Sequence, residues 1–115
     1  MFSSAQLTGA LVLDAQGVSD AEWIFEIGST LTTASAATVS VINGGDDCHV
    51  YWAVGSSATL GTTTTFAGNI LAQASITLNT GANVSGRLLA LTGAVTLDTN
   101  TVTICPLVAN PAEGP

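Results

Sequence analysis

Basic side chains are almost absent from this chain of 115 residues. It contains no lysine, one arginine (Arg87) and one histidine (His49) against eight acidic residues, so its formal net charge at pH 7 is -7. Proteins that bind nucleic acid need clustered lysine and arginine to neutralise phosphates. The composition therefore argues against nucleic acid as a partner, and equally against an anionic membrane surface.

Catalytic side chains are similarly scarce. One histidine and one arginine without lysine give no clear Ser-His-Asp triad, phosphate clamp or basic proton-abstracting site. A calcium site at Asp46-Asp47 is conceivable, but adjacent acids in a glycine-rich turn are usually just solvated. We interpret His49 as a polar loop residue and Arg87 as a solvated surface residue. The sequence predicts a protein that is not an enzyme and has no cofactor or metal.

Long hydrophobic runs are missing as well. No stretch of eighteen apolar residues exists, so no membrane-spanning helix is predicted. The basic and apolar regions of a signal peptide are also absent from the first residues, which open on Met1-Phe2-Ser3-Ser4. Two interpretations follow: the protein is cytosolic, or this start is a cut within a longer chain that is secreted as the full-length protein. We expect the cut.

A short repeated motif is what the sequence does contain. Thr59-Leu60-Gly61-Thr62, Thr77-Leu78-Asn79-Thr80 and Thr96-Leu97-Asp98-Thr99 recur about eighteen residues apart, with no helical pattern between them. Such a period is typical of a β-solenoid. We expect five rungs of up to three short strands over residues 1–105, and a loose tail containing proline over residues 106–115.

The first two sides of the predicted rungs alternate between apolar and polar residues. Because neighbouring strand residues point to opposite faces, each side has an inward and an outward set. The inward set of the first side is Leu7, Leu31, Leu60, Leu78 and Leu97, and its outward set is Gln6, Thr30, Thr59, Thr77 and Thr96. On the second side, the inward set is Leu11, Leu13, Val39, Val41, Phe66, Val84, Val102 and Ile104, and the outward set is Thr38, Ser40, Thr65, Ala67, Asn83, Ser85, Thr101 and Thr103.

The third side is apolar in both alternating positions, over residues 23–27, 50–54, 70–72 and 88–91. Such strands are covered on both faces. We therefore expect a covering element, for example an amphipathic helix, from sequence outside this chain or from another subunit. Polar insertions at 15–22 and 43–49 fall at corners, and Ser19 to Glu22 could alternatively open a short helix.

The two cysteines are predicted not to pair. Cys48 falls on the second rung and Cys105 ends the fifth, and rungs spaced by roughly 4.8 Å would separate them by about 14 Å. That distance is beyond the reach of a disulfide. Discontinuous stacking of the rungs would reopen the question.

Threonine is the distinctive feature of the outward sets. Threonine favours strands, so such columns also occur in ordinary solenoids. However, Thr62-Thr63-Thr64-Thr65, Thr80-Gly81-Ala82-Asn83 and the related Thr99-Asn100-Thr101 recur at the corner that enters the second side. A flat array of methyl and hydroxyl groups loses little conformational entropy on meeting an ordered surface. The pattern therefore favours binding to a lattice.

Six stretches, which together cover most of the chain, carry a resemblance to a known family. They are residues 3–9 (SSAQLTG), 13–17 (LDAQG), 24–34 (IFEIGSTLTTA), 54–61 (VGSSATLG), 66–72 (FAGNILA) and 93–98 (GAVTLD). In these stretches the chain resembles the DUF3494 family of ice-binding, antifreeze-type proteins. The resemblance implies an all-β, right-handed, irregular β-helix of triangular cross-section, with a long helix along one side that lies outside this chain. It also implies adsorption to ice through repeats of the type Thr-Ala/Gly-x-Thr/Asn.

That repeat maps unevenly onto the chain. Thr80-Gly81-Ala82-Asn83 fits it fully, Thr62 and Thr65 fit its ends while Thr63 departs from the small second position, and Thr33-Ala34 fits only its start. The predicted partner is the surface of an ice crystal. The predicted ice-binding residues are Thr38, Ser40, Thr62, Thr65, Ala67, Thr80, Asn83, Ser85, Thr101 and Thr103, with Thr30, Thr59, Thr77 and Thr96 as a rival face. The alternative is an extracellular adhesive or structural solenoid that binds glycan or protein.

Overall fold

The computed structural model describes residues 4–18, 21–45 and 49–103, which form fourteen short strands and no α-helix. Within these ranges no helix is long and apolar enough to cross a bilayer. The strands make three parallel sheets, and successive strands along the chain belong to different sheets. The chain therefore winds as a three-sided β-helix, which confirms the predicted fold class.

The first sheet contains one strand from each of the five rungs. Its strands lie side by side in sequence order and all pair in parallel. They are β1 (Ala5–Leu7), β4 (Leu31–Thr33), β7 (Ala58–Leu60), β10 (Ile76–Leu78) and β13 (Val95–Thr96).

The second sheet repeats this arrangement, and the third has four strands. The second sheet comprises β2 (Ala10–Asp14), β5 (Thr38–Ile42), β8 (Thr65–Ala67), β11 (Asn83–Ser85) and β14 (Thr101–Thr103). The third comprises β3 (Trp23–Ile27), β6 (Val50–Val54), β9 (Asn69–Ala72) and β12 (Leu88–Ala90).

The core lies between the three sheets and is filled from all of them. Trp52 of the third sheet is its largest member: its ring stacks on that of Phe25 at a centroid distance of 4.3 Å and tilts against Phe66 of the second sheet at 5.0 Å. Of the predicted inward residues, Leu13, Leu31, Val39, Leu60, Phe66, Leu78 and Val84 are buried.

Two predicted core residues, Leu97 and Val102, are exposed by 53% and 37%. Both belong to the fifth rung, which has no further rung stacked on it within the part of the chain described. Val102 pairs with the buried Val84, as its predicted inward column requires, but neither Val102 nor Leu97 is buried, because an end rung is packed from one side only. Ile104, both cysteines, the Asp46-Asp47 pair and the tail lie outside the described residues, as do Ser19 and Asp20 of the alternative helix; Ala21 and Glu22 are not helical.

The second rung is shifted by two residues from its predicted register. Leu31 pairs with Ala58, and Thr33 pairs with Leu60. Thr33 therefore occupies the column predicted for Leu31, and Thr32 rather than Thr30 pairs with Thr59 in the outward column. A shift of two residues keeps every side chain on its face, so the hydrophobic pattern could not reveal it.

The outer face of the third sheet is largely apolar, as predicted, with Glu26 as a charged exception. Ile24, Leu71 and Leu89 are exposed by 66%, 42% and 51%, and Tyr51 by 36%. Glu26, Ala53, Leu71 and Leu89 form one outward row. The element expected to cover this face stays a prediction.

Candidate functional site

The outer face of the second sheet carries a continuous row of polar side chains. Thr38 pairs with Thr65, Thr65 with Asn83, and Asn83 with Thr101. We call these four residues the ladder. Thr38 is half-buried and the other three are exposed. The Oδ1 atom of Asn83 also accepts a hydrogen bond from the backbone N–H of Thr101 at 3.0 Å, which ties two rungs together.

A second row runs parallel to the ladder along the corner that precedes it. We call it the corner column: Ser35, Thr62, Thr80 and Asp98, each three residues before a ladder residue. All four are exposed. Backbone hydrogen bonds keep the corners stacked, from Ala36 N to Thr62 O at 2.8 Å, from Thr63 N to Thr80 O at 3.1 Å and from Gly81 N to Asp98 O at 3.3 Å.

Side chains of the corner column are joined in pairs across neighbouring rungs. The hydroxyl oxygens of Ser35 and Thr62 are 2.8 Å apart. The Thr80 hydroxyl donates to Asp98 Oδ2 at 2.7 Å. Ser35 and Asp98 were missed from the sequence, although counting three residues back from Thr38 and Thr101 would have found them. The proposed motif start at Thr33-Ala34 is wrong, since Thr33 is buried and the corner of that rung begins at Ser35.

Backbone conformation explains why the second position of each corner favours a small residue. Ala36, Thr63, Gly81 and Thr99 have φ angles of 61°, 56°, 76° and 53°, in the left-handed region. Glycine adopts this region without steric cost, whereas a β-branched residue such as threonine does so rarely. Since all four residues share this conformation, the same turn recurs in four stacked rungs.

The third position of each corner points inward. Ala37, Thr64 and Ala82 have at most 1% of their surface exposed. In the last rung the position is taken by Asn100, whose Nδ2 donates to the carbonyl oxygens of Asn79 and Ala82, both at 2.8 Å. Each corner therefore has an outward first residue, a second residue with a left-handed φ, an inward third residue and an outward fourth residue. This four-residue spacing places the corner column and the ladder on one surface.

The remaining predicted residues of the second sheet do not form a continuous exposed row. Ser40 and Thr103 are exposed and Ser85 is half-buried. Ala67 is only 3% exposed and packs with the core, so its predicted place on the outer face is wrong. The chain turns there: Gly68 has a φ of 127°, the indole nitrogen of Trp52 approaches the Ala67 carbonyl at 3.3 Å, and every residue from Phe66 to Ile70 is buried.

The rival row on the first sheet is regular but less accessible. Gln6, Thr32, Thr59, Thr77 and Thr96 follow one another in register. Thr32, Thr59 and Thr77 are half-buried, and Thr30 precedes β4.

Charge is sparse on these surfaces, where Asp98 is the single charged member of the two rows. Asp14, at the far end of β2, lies on a different corner. Hydrogen bonds from Asn43 Nδ2 and from the Gln16 backbone N–H, each 2.8 Å from Asp14 Oδ1, lower the pKa of that carboxyl. Arg87 borders an outer groove of the third sheet with Tyr51 and Leu89, away from the ladder. Within the described ranges no three metal-ligating side chains come together.

A family model described as Ice-binding-like matches residues 1–103. The chain is 59% identical over 101 residues to an ice-binding protein of Nostoc sp. (strain HG1), covering 87% of this chain and 37% of that protein. The chain therefore spans little more than a third of that relative's length.

Solved structures show the same likeness. The crystal structure of an ice-binding protein from the Antarctic ascomycete Antarctomyces psychrotrophicus matches with a TM-score of 0.85 and 44% identity, over 88% of this chain and 49% of that one. The crystal structure of an ice-binding protein from an Antarctic Flavobacteriaceae bacterium matches with a TM-score of 0.89 and 35% identity, over 94% of this chain and 26% of that one.

Proposed function

Because this chain belongs to the Ice-binding-like family, we propose that it adsorbs to ice, without catalysis, through the surface formed by the corner column and the ladder. The observation that supports this most directly is the register of these two rows. Thr38, Thr65, Asn83 and Thr101 lie in one row of paired residues, beside Ser35, Thr62, Thr80 and Asp98. Strand pairing places one short polar side chain of each row about every 4.8 Å, and threonine adds a methyl group at five of the eight positions.

This surface is suited to a solid because little of it has to become ordered. Its side chains are short, and the corner column is already held by hydrogen bonds between Ser35 and Thr62 and between Thr80 and Asp98. Immobilising flexible side chains opposes binding, so a surface without lysine or other long side chains avoids that cost. Water ordered on the two rows would merge with the ice, and the adsorbed protein would curve the growth front and slow it.

The alternative, adhesion to glycan, is less well supported by the positions of the aromatic residues. Glycan sites usually present exposed aromatic rings. In the described part of the chain the exposed aromatic residue is Tyr51, which lies on the third sheet, while Trp52 is buried. We therefore propose ice as the partner and not nucleic acid or a membrane. Secretion of the full-length protein, and a helix or subunit on the third sheet, stay predictions.

The test places one bulky residue on each of the three faces. Thr65→Tyr blocks the ladder, Thr59→Tyr blocks the rival row, and Ala53→Tyr alters the exposed outer face of the third sheet. We expect Thr65→Tyr to lose most of the thermal hysteresis and most of the fluorescent labelling of a single ice crystal, and Ala53→Tyr to keep both. Each variant is first checked for an unchanged melting temperature.

The outcomes separate the hypotheses. Loss of thermal hysteresis and of ice labelling in Thr59→Tyr alone would place the ice-binding site on the first sheet. Absence of ice affinity in well-folded wild-type protein, together with a positive glycan array, would replace ice binding by the adhesive function.

A further inference from the structure

Asp98 ends the corner column with a charged group that has several hydrogen bonds. Its Oδ2 accepts from the Thr80 hydroxyl at 2.7 Å, and its Oδ1 accepts from the Thr99 hydroxyl at 3.2 Å. Its backbone N–H donates to Asn100 Oδ1. Asn100 in turn donates to the carbonyl groups of Asn79 and Ala82 on the preceding rung. The carboxylate is therefore held in place by both its own turn and its neighbour.

We propose that Asp98 is a positioning residue that fixes the direction of the Thr80 hydroxyl on the ice-facing surface. This inference rests on the proposed function. A carboxylate oxygen can only accept hydrogen bonds. Thr80 must therefore donate to it, and the lone pairs of the Thr80 oxygen are left to accept hydrogen bonds from water in the ice.

In the other pair of the corner column, the structure does not fix which group donates. Ser35 and Thr62 are both hydroxyls, and either can donate across their 2.8 Å contact. Each can then present a proton or a lone pair to the surface, and adsorption has to select one arrangement. Asp98 removes that choice at Thr80, so it lowers the entropy that is lost on binding.

The experiment compares two aspartates. Asp98→Ala removes the acceptor beside Thr80. Asp14→Ala is the matched control, since it makes the same change in net charge at a corner away from the two rows, where Asp14 binds Asn43 and Gln16 instead. We expect the protein concentration needed for a given thermal hysteresis to rise roughly two- to threefold in Asp98→Ala, the low end of the range for one newly immobilised side chain, because threonine is short. Asp14→Ala should stay at the wild-type value.

Two further variants distinguish positioning from a general structural effect. Asp98→Asn retains an oxygen that can accept from Thr80, so it should recover more than half of the activity. In a Thr80→Val background, Asp98→Ala should cause a clearly smaller additional loss, because the hydroxyl that Asp98 orients is gone and only the exposed carboxylate itself is removed. A loss of equal size in both backgrounds, or equal activities of Asp98→Ala and Asp14→Ala, would overturn the proposal.

A measurement without ice keeps this inference separate from the proposed function. The three-bond NMR coupling between the hydroxyl proton and Hβ of Thr80, measured near 0 °C, reports the direction of the O–H bond. We expect a single direction in the wild type and averaging over several directions in Asp98→Ala. If the wild type is folded but inactive, the proposed function fails, and this coupling still decides whether Asp98 orients the Thr80 hydroxyl. The same single O–H direction in both proteins would refute the orientation.

Discussion

The hydroxyl oxygen of Thr33 lies 2.8 Å from that of Thr64, inside the solenoid, where both side chains are buried. Thr33 occupies a column that holds Leu60 and Leu78 in the next two rungs. Its oxygen also accepts from the Gly61 backbone N–H at 2.9 Å, while the Thr64 hydroxyl donates to the Ala34 carbonyl at 3.2 Å. This buried hydrogen-bonded cluster links the second and third rungs directly behind the corner column.

Removing the first hydroxyl of this pair should lower the free energy of unfolding more than removing the second one afterwards. Thr33→Val or Thr64→Val leaves a buried partner short of a hydrogen bond, and we expect each to lower the free energy of unfolding by about 1–2 kcal/mol. The double variant should lose clearly less than the sum, since both polar groups are then gone. Urea unfolding of the four proteins gives the coupling energy, and strict additivity would contradict this account.

Thr63 should be more stable as glycine. Its φ of 56° is costly for a β-branched residue, by about 1–2 kcal/mol, and the greater freedom of glycine in the unfolded chain offsets part of that gain. We expect Thr63→Gly to raise the free energy of unfolding by about 0.5–1 kcal/mol. Thr65→Gly, in an extended strand two residues later, serves as the control and should lower stability. Equal effects of the two variants would count against strain at Thr63.

Gly86 is expected to tolerate no side chain. Its φ is 149°, and a Cβ atom there would lie 2.0 Å from the carbonyl oxygen of Gly68 on the adjacent rung. Gly86→Ala should therefore lower the free energy of unfolding by more than about 2 kcal/mol. Gly9→Ala is the matched control, because Gly9 also has a positive φ of 82°, but a methyl group there would meet no atom within 4 Å beyond its chain neighbours. Thermal unfolding should show a much smaller loss for Gly9→Ala; similar losses would point to the backbone angle alone.

Asp14 should contribute to a decrease in stability in acid. Its hydrogen bonds with Asn43 and Gln16 hold its pKa below the ordinary value of 3.8 in the folded state. The unfolded chain therefore binds more protons in this range, and the free energy of unfolding falls as the pH decreases from above 3.8 through the lower folded-state pKa. The contribution is small, because the side chain is exposed.

Asn43→Gly tests the cause of this shift. Asn43 has a φ of 61°, which glycine also adopts, so the variant removes the side-chain donor and keeps the turn. We expect the pKa of Asp14, followed by NMR titration of its carboxyl carbon, to rise toward 3.8, and the pH dependence of unfolding to weaken. Asp14→Asn should weaken that pH dependence as well, since it removes the titrating group. An unchanged titration midpoint would show that Asn43 is not the main cause.

The repeat, the alternation of apolar and polar residues on two sides and the apolar third side were together sufficient to predict three sheets and the inward face of most strands. The alternation could not fix the register of the second rung, where Leu31 pairs with Ala58 and not with Leu60, because a shift by two residues leaves the alternation unchanged. The alternation also could not predict how a residue next to a corner packs. Ala67 has the parity of an outward residue, yet the turn at Gly68 brings it into the core.

The candidate site was predicted in part for a related reason. Thr62, Thr65, Thr80 and Asn83 were found because they are similar in type as well as in spacing. Asp98 holds the equivalent place in the fifth rung, but a carboxylate does not look like a threonine in a repeat. Its relation to Thr80 depends on stacking in three dimensions.

The stacked register also makes the proposed surface modular. Ala58 pairs with Ile76, so one turn of the solenoid at this point occupies 18 residues, from 58 to 75, and starts and ends at the same place on the first sheet. Repeating that segment would insert one complete rung, with one more corner and one more ladder residue, without altering the others, because each rung of a solenoid contacts only its neighbours. The length of the proposed surface is thus set by the number of rungs that the gene encodes, and it can be increased by whole rungs.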